Sequence, residues 1–166
     1  MISAEEVELG RRSGPPAAFP SATAPWDLSP DGRRREWHLR TVESSVTALR
    51  RGLSAFLDTV GLSDDEFYDL ILAVSEAATN AVEHAQHPTE PFFDVSAEVD
   101  DGRVTIVVHD HGRWLPPRSS LYRGRGLAMM RVLADTTVEA GTHGTTVTIR
   151  NHRAFPAVLG EEGRAS

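Results

Sequence analysis

The 166-residue sequence contains no cysteine, which excludes disulfides and thiolate metal sites. No apolar run approaches the roughly 18 residues that a membrane-spanning helix needs, so no membrane role is expected. The amino terminus has no basic segment followed by an apolar stretch, and the expected location is therefore cytoplasmic. Positive charge is in deficit. Lys plus Arg is 17 against 24 Asp plus Glu, a formal charge of -7, which opposes attraction to a polyphosphate backbone and argues against direct nucleic-acid binding. There is no internal repeat. What is present is 40% hydrophobic and 25% charged residues, the balance of a globular protein. The length suits one domain with some unstructured chain, not two domains.

Prolines 15, 16, 20, 25 and 30 fall in the first 31 residues without any periodic apolar pattern, which reads as a flexible tail. The expected division is a tail over 1–34, one domain over 35–151 and a C-terminal tail over 152–166. Arg33-Arg34-Arg35 reads as a solvated approach to the first strand or as a basic contact patch. A strand is expected over Glu36–Arg40. Val42, Val46, Leu49, Leu53, Phe56, Leu57 and Val60 then recur at helical spacing up to Gly61. Ser63-Asp64-Asp65-Glu66 has the form of a capping box, which opens a second helix running to about His84. Alternation at Phe93, Val95, Ala97 and Val99, and again at Val104, Ile106 and Val108, flanks Asp101-Gly102 and predicts an antiparallel hairpin. A third helix over Leu127–Leu133 and strands over Thr137–Glu139 and Thr145–Arg150 complete the pattern. The expected fold class is α+β, a two-layer sandwich with helices on one face of a mixed, mostly antiparallel sheet.

On a wheel of about 100° per residue, Phe67, Leu70, Ile71, Val74, Ala77, Ala78 and Ala81 share the sheet-facing side of the second helix. Glu76, Asn80 and Glu83 fall opposite. Glu76 and Asn80 are four apart and can converge on one ligand. On spacing alone this pattern reads first as a solvated helix face, but a carboxylate beside an amide oxygen also suits a hard cation or removal of a proton from a hydroxyl. Three glycine-containing segments follow. His109-Asp110-His111-Gly112 ends a strand with an acceptor that a close-passing backbone could aim into a pocket, or forms an ordinary turn. Arg123-Gly124-Arg125-Gly126 precedes a helix and could offer amides and a positive dipole end to an anion, though Gly-x-Gly is common in plain loops. Gly141-Thr142-His143-Gly144-Thr145-Thr146 enters the last strand and, alone, is a hairpin connection.

The order of these segments resembles the GHKL ATPase superfamily, and in particular its RsbW/SpoIIAB-like anti-sigma branch. Ser75-Glu76-Ala77-Ala78-Thr79-Asn80-Ala81-Val82-Glu83-His84 is similar to that branch's N box, and the later segments to its glycine boxes, over about Trp37 to Arg150. The resemblance implies a Bergerat-type fold that binds ATP and Mg2+. It assigns Asp110 to the adenine amino group, with Thr145 joining through water, Asn80 to magnesium, and Gly112, Gly124 and Gly126 to the nucleotide loops. Glu76 would be the base that takes the proton from a partner's serine. It further implies a protein serine kinase that binds a sigma factor and phosphorylates a STAS-type anti-anti-sigma protein, with homodimers common in the branch. The sequence departs from the pattern at Trp114, where a second glycine often stands, and in a short, Pro116-Pro117-containing lid. Those departures keep a second reading open, a nucleotide-binding regulatory module that sequesters a partner without phosphoryl transfer. A histidine-kinase catalytic domain and a metal hydrolase built on His84, His87, His109 and His111 are further alternatives.

Overall fold

In the computed structural model the described residues are 26–84, 89–112 and 125–152. Local chemistry sets the elements. After β1 (Trp26–Leu28) and β2 (Arg34–Arg40) comes α1 (Glu43–Leu57), whose apolar stripe buries Leu49, Leu53, Phe56 and Leu57. The capping box forms as expected: the Ser63 amide donates to Glu66 Oε2 (3.3 Å) and the Glu66 amide to Ser63 Oγ (3.4 Å). It opens α2 (Asp64–His84), and three acidic residues in its first turn complement the positive helix end. In the hairpin β3 (Phe92–Asp100) and β4 (Arg103–Asp110), Asp101 and Gly102 both have positive φ, 46° and 72°, the conformation that a two-residue turn matching strand twist demands. Then follow α3 (Arg125–Leu133), β5 (Asp135–Gly141) and β6 (Gly144–Arg150).

The six strands lie in the order β1-β2-β3-β4-β6-β5, and every pairing among them is antiparallel. The three helices cover one face. Period-two alternation sends Trp37, Leu39, Phe93, Val95, Ile106, Val108, Val147 and Ile149 under them. Trp37 meets Phe56 edge-on at 6.5 Å, which ties α1 to the sheet.

Two details differ from the sequence reading. Trp26–Leu28, counted within the tail, pairs with β2 as an edge strand; three residues near Pro25 and Pro30 are too few to display alternation. The polar side of α2 is not simply solvated, because α1 and α3 pack on either side of it. Ala73 is therefore fully buried, Ser75 is buried and accepts from Arg50 Nε at 2.7 Å, and Glu76 and Asn80 are half-buried.

Candidate functional site

Strand alternation organises the end of β4. His109 turns to the open face of the sheet and Asp110 to the helix side. Register sets Asp110 opposite Thr145 on β6, and both bonds to its carboxylate fall on one oxygen. Oδ1 accepts from the Gly112 amide (2.9 Å) and from the Thr145 amide (3.3 Å), which leaves Oδ2 as an acceptor for an outside donor. Burial raises the Asp110 pKa above the usual carboxylate value, and the two amides oppose that rise. His109, also partly buried and beside His111, is held below the ordinary histidine value.

Gly144 makes this arrangement possible. Its φ is 141°, and a Cβ there would stand 1.8 Å from the Asp110 carbonyl oxygen, so only a residue without a side chain lets β6 approach the end of β4 so closely. Sequence reading included Gly144 in a loop without singling it out. The paired glycines at 141 and 144 were the available signal.

The second half of the site lies on the helices. Asn151, just beyond β6, donates from Nδ2 to Glu66 Oε1 at 3.4 Å, which anchors the start of α2 at the far end of that strand. At about 1.5 Å per residue, Glu76 and Asn80 come roughly 15 to 21 Å further along, toward the Asp110 end. There the Glu76 carboxylate lies against the first turn of α3: a Cβ on Gly126 would fall 2.0 Å from Glu76 Oε1. A negative group in that position faces the positive end of α3. The structure thus brings together Asp110, Gly112 and Thr145 by hydrogen bonds, Glu76 and Gly126 by contact, and Asn80 one turn beyond Glu76. Gly124, Trp114, Pro116 and Pro117 lie outside the described residues.

The histidine alternative finds no support in this geometry. His109 shares a hydrogen bond with Thr146 Oγ1 (2.9 Å) and His111 donates to Asp94 (2.8 Å), and among the described residues no three ligating side chains could hold a metal ion. His87 and the side chain of His84 lie outside the described residues.

The residues present suit a purine nucleotide. A half-buried carboxylate with one oxygen already engaged by two amides suits an amine donor, and a carboxylate one turn from an amide oxygen suits a hydrated hard cation. The chain is similar to several known proteins. A sequence profile of the family described as "Histidine kinase-like ATPase domain" matches residues 40–151. The chain is 33% identical over 122 residues to a serine-protein kinase RsbW of Bacillus licheniformis, covering 63% of this chain and 76% of that one. It is 35% identical over 79 residues to a serine-protein kinase RsbW of Staphylococcus epidermidis, covering 46% of this chain and 50%, or half, of that protein. An anti-sigma F factor of Geobacillus kaustophilus is 27% identical over 143 residues, 76% of this chain and 98% of that protein. The crystal structure of the RsbU and RsbW domains of Rv1364c from Mycobacterium tuberculosis superposes with a TM-score of 0.60 at 29% identity, covering 74% of this chain and 33% of that one.

Proposed function

Because the chain belongs to the histidine kinase-like ATPase domain family, in its RsbW-like group, we propose that it binds ATP with magnesium and transfers the γ-phosphate to a serine of a STAS-type anti-anti-sigma protein. The same domain, residues 35–151 with the short β1 strand added, sequesters a sigma factor in the cytoplasm and pairs as a homodimer.

The observation that carries this reading is the Asp110 carboxylate, whose Oδ1 is fixed by the Gly112 and Thr145 amides. Fixing one oxygen orients the other, so Oδ2 accepts from the adenine amino group, and Thr145 lies close enough to join through water. Asn80 offers its amide oxygen to magnesium, which supplies neutralisation of the phosphate charge. Gly126 lets the backbone at the start of α3 run along the phosphates, and Gly124 is assigned to the same loop by the sequence resemblance. Glu76, beside Gly126, takes the proton from the incoming serine hydroxyl. Phosphoryl transfer asks for little beyond such positioning and charge neutralisation.

Calorimetry with ATP and magnesium, together with transfer of radiolabelled γ-phosphate to a STAS protein of the same organism, tests the reading. Glu76→Gln keeps nucleotide affinity and abolishes transfer. Equal transfer by wild type and variant removes the base assignment, and absent ATP binding removes the nucleotide reading itself. The sequence departures from the family pattern at Trp114, Pro116 and Pro117 support the second reading, a module that binds nucleotide without transferring phosphate; tight ATP binding with no labelled partner is its signature.

A further inference from the structure

The open face of the sheet carries a side-chain cluster directly behind Asp110. Asp94, on β3, is buried, with only 9% of its side chain exposed. Its Oδ1 accepts from His38 Nδ1 on β2 at 2.5 Å and its Oδ2 from His111 Nε2 at 2.8 Å. His38 stacks on Phe92, with ring centroids 4.4 Å apart. His111 meets His109 edge-on at 4.8 Å, and His109 is tied to Thr146 on β6. Four strands' worth of side chains thus converge where β4 ends.

Asp110 is the last residue of β4, and a strand end frays unless something beyond it is held. His111 is held twice. Asp94 holds its ring, and Thr89 donates to its carbonyl oxygen from the backbone amide (3.0 Å) and from Oγ1 (3.2 Å). The next amide, Gly112, is the one that donates to Asp110 Oδ1. A continuous path therefore runs from the Asp94 carboxylate through the His111 ring and backbone to the Gly112 amide, and so to the orientation of Asp110 on the opposite face.

We propose that Asp94 is a positioning residue for purine selection, setting from behind the sheet the orientation in which Asp110 meets the adenine amino group. This rests on the nucleotide reading above. Without Asp94, water can replace the acceptor for the part-exposed histidines, so the fold survives. The His111 ring is freed and one of its two restraints is lost, so the Gly112 amide and with it the Asp110 carboxylate are aimed less tightly, by the Thr89 and Thr145 bonds alone.

The test compares ATP with inosine triphosphate, which lacks the amino group, by calorimetry on the full chain. In the wild type, ATP is preferred by roughly ten- to a hundredfold, the size of one charge-assisted hydrogen bond. In Asp94→Ala that ratio falls at least about threefold, through ATP alone, while inosine triphosphate binding is unchanged. His111→Ala gives the same fall, and the double variant falls no further, because both substitutions cut one path. His111→Gln, whose amide can still reach Asp94, restores the ratio. A merely structural role lowers both affinities together and leaves the ratio alone, and either that result or an additive double variant overturns the proposal. Should Asp94→Ala unfold, His111→Ala alone decides it. If the wild type binds both nucleotides equally, the assignment of Asp110 fails instead; if it binds neither, the nucleotide reading fails.

Discussion

Gly126→Ala isolates the geometry of the reacting end of the site. The new methyl carbon would stand 2.0 Å from Glu76 Oε1, 2.8 Å from its Cδ and 3.1 Å from its Cγ. Non-bonded atoms of this kind settle at about 3.5 Å, so the carboxylate must retreat by roughly 1.5 Å. Oε1 is the far end of a rotatable side chain, and an off-rotamer glutamate costs about 0.5 to 1.5 kcal/mol. Replacing a helical glycine by alanine returns about 0.5 to 1 kcal/mol. The two nearly cancel, and the melting temperature should scarcely move. Chemistry is far more sensitive, since a displacement of about 1 Å can lower a rate by about 100-fold. Single-turnover transfer of labelled γ-phosphate should accordingly drop on the order of 100-fold, more than ATP affinity measured by calorimetry, which loses only what the methyl group takes from the phosphate end because Asp110 is untouched. Undiminished transfer in a folded variant would show that Glu76 does not act from the position seen against α3.

Two other substitutions probe the sheet side. Asp110→Asn should weaken ATP binding by roughly ten- to a hundredfold, since the single asparagine oxygen stays with the Gly112 and Thr145 amides and an NH2 replaces the charged acceptor that meets the adenine amino group. It should also raise the melting temperature of the nucleotide-free protein at neutral pH. The reason is that burial lifts the Asp110 pKa, so the folded state prefers the protonated form; the stability this confers is present at low pH and lost as pH rises through the folded pKa. The advantage of asparagine should therefore vanish on acidification, and thermal unfolding across pH that shows it constant or reversed contradicts the buried-carboxylate argument. Wild-type ATP affinity should fall at a higher pH than an exposed aspartate would dictate. Gly144→Ala meets a rigid obstacle, the Asp110 carbonyl oxygen at 1.8 Å, in a backbone region that disfavours side chains. It should lose more than about 2 kcal/mol, or roughly 8 °C in melting temperature; an unchanged melting curve would mean that β6 does not need to approach β4 so closely.

Legibility in the sequence follows the range of the interaction. The capping box, the Asp101-Gly102 turn and the alternation of β3 and β4 are local patterns, and each appears where the residues indicate. The burial of Ala73 and the half-burial of Glu76 are not local: they depend on α3 arriving beside α2 some fifty residues later in the chain. A wheel drawn for α2 alone assigns only the sheet-facing side, because it contains no information about a neighbour in the same layer. The Asp94 cluster was missed for a similar reason. His38, Asp94 and His111 are scattered in sequence, and only the β2-β3-β4 register assembles them. An aspartate among the apolar residues of β3 was the single hint.

The two halves of the site differ in what holds them. Asp110 is fixed by backbone amides and an antiparallel ladder, elements that resist displacement because moving it breaks several hydrogen bonds together. Glu76 is set by a contact between two helices that depends on the absence of one methyl group. In the proposed function, recognition of the base belongs to the rigid half, and the Glu76 carboxylate to the half that a small shift of α3 can move. Perturbations of α3 should accordingly affect transfer more than binding of the base, whereas perturbations at the end of β4 should alter purine selection first.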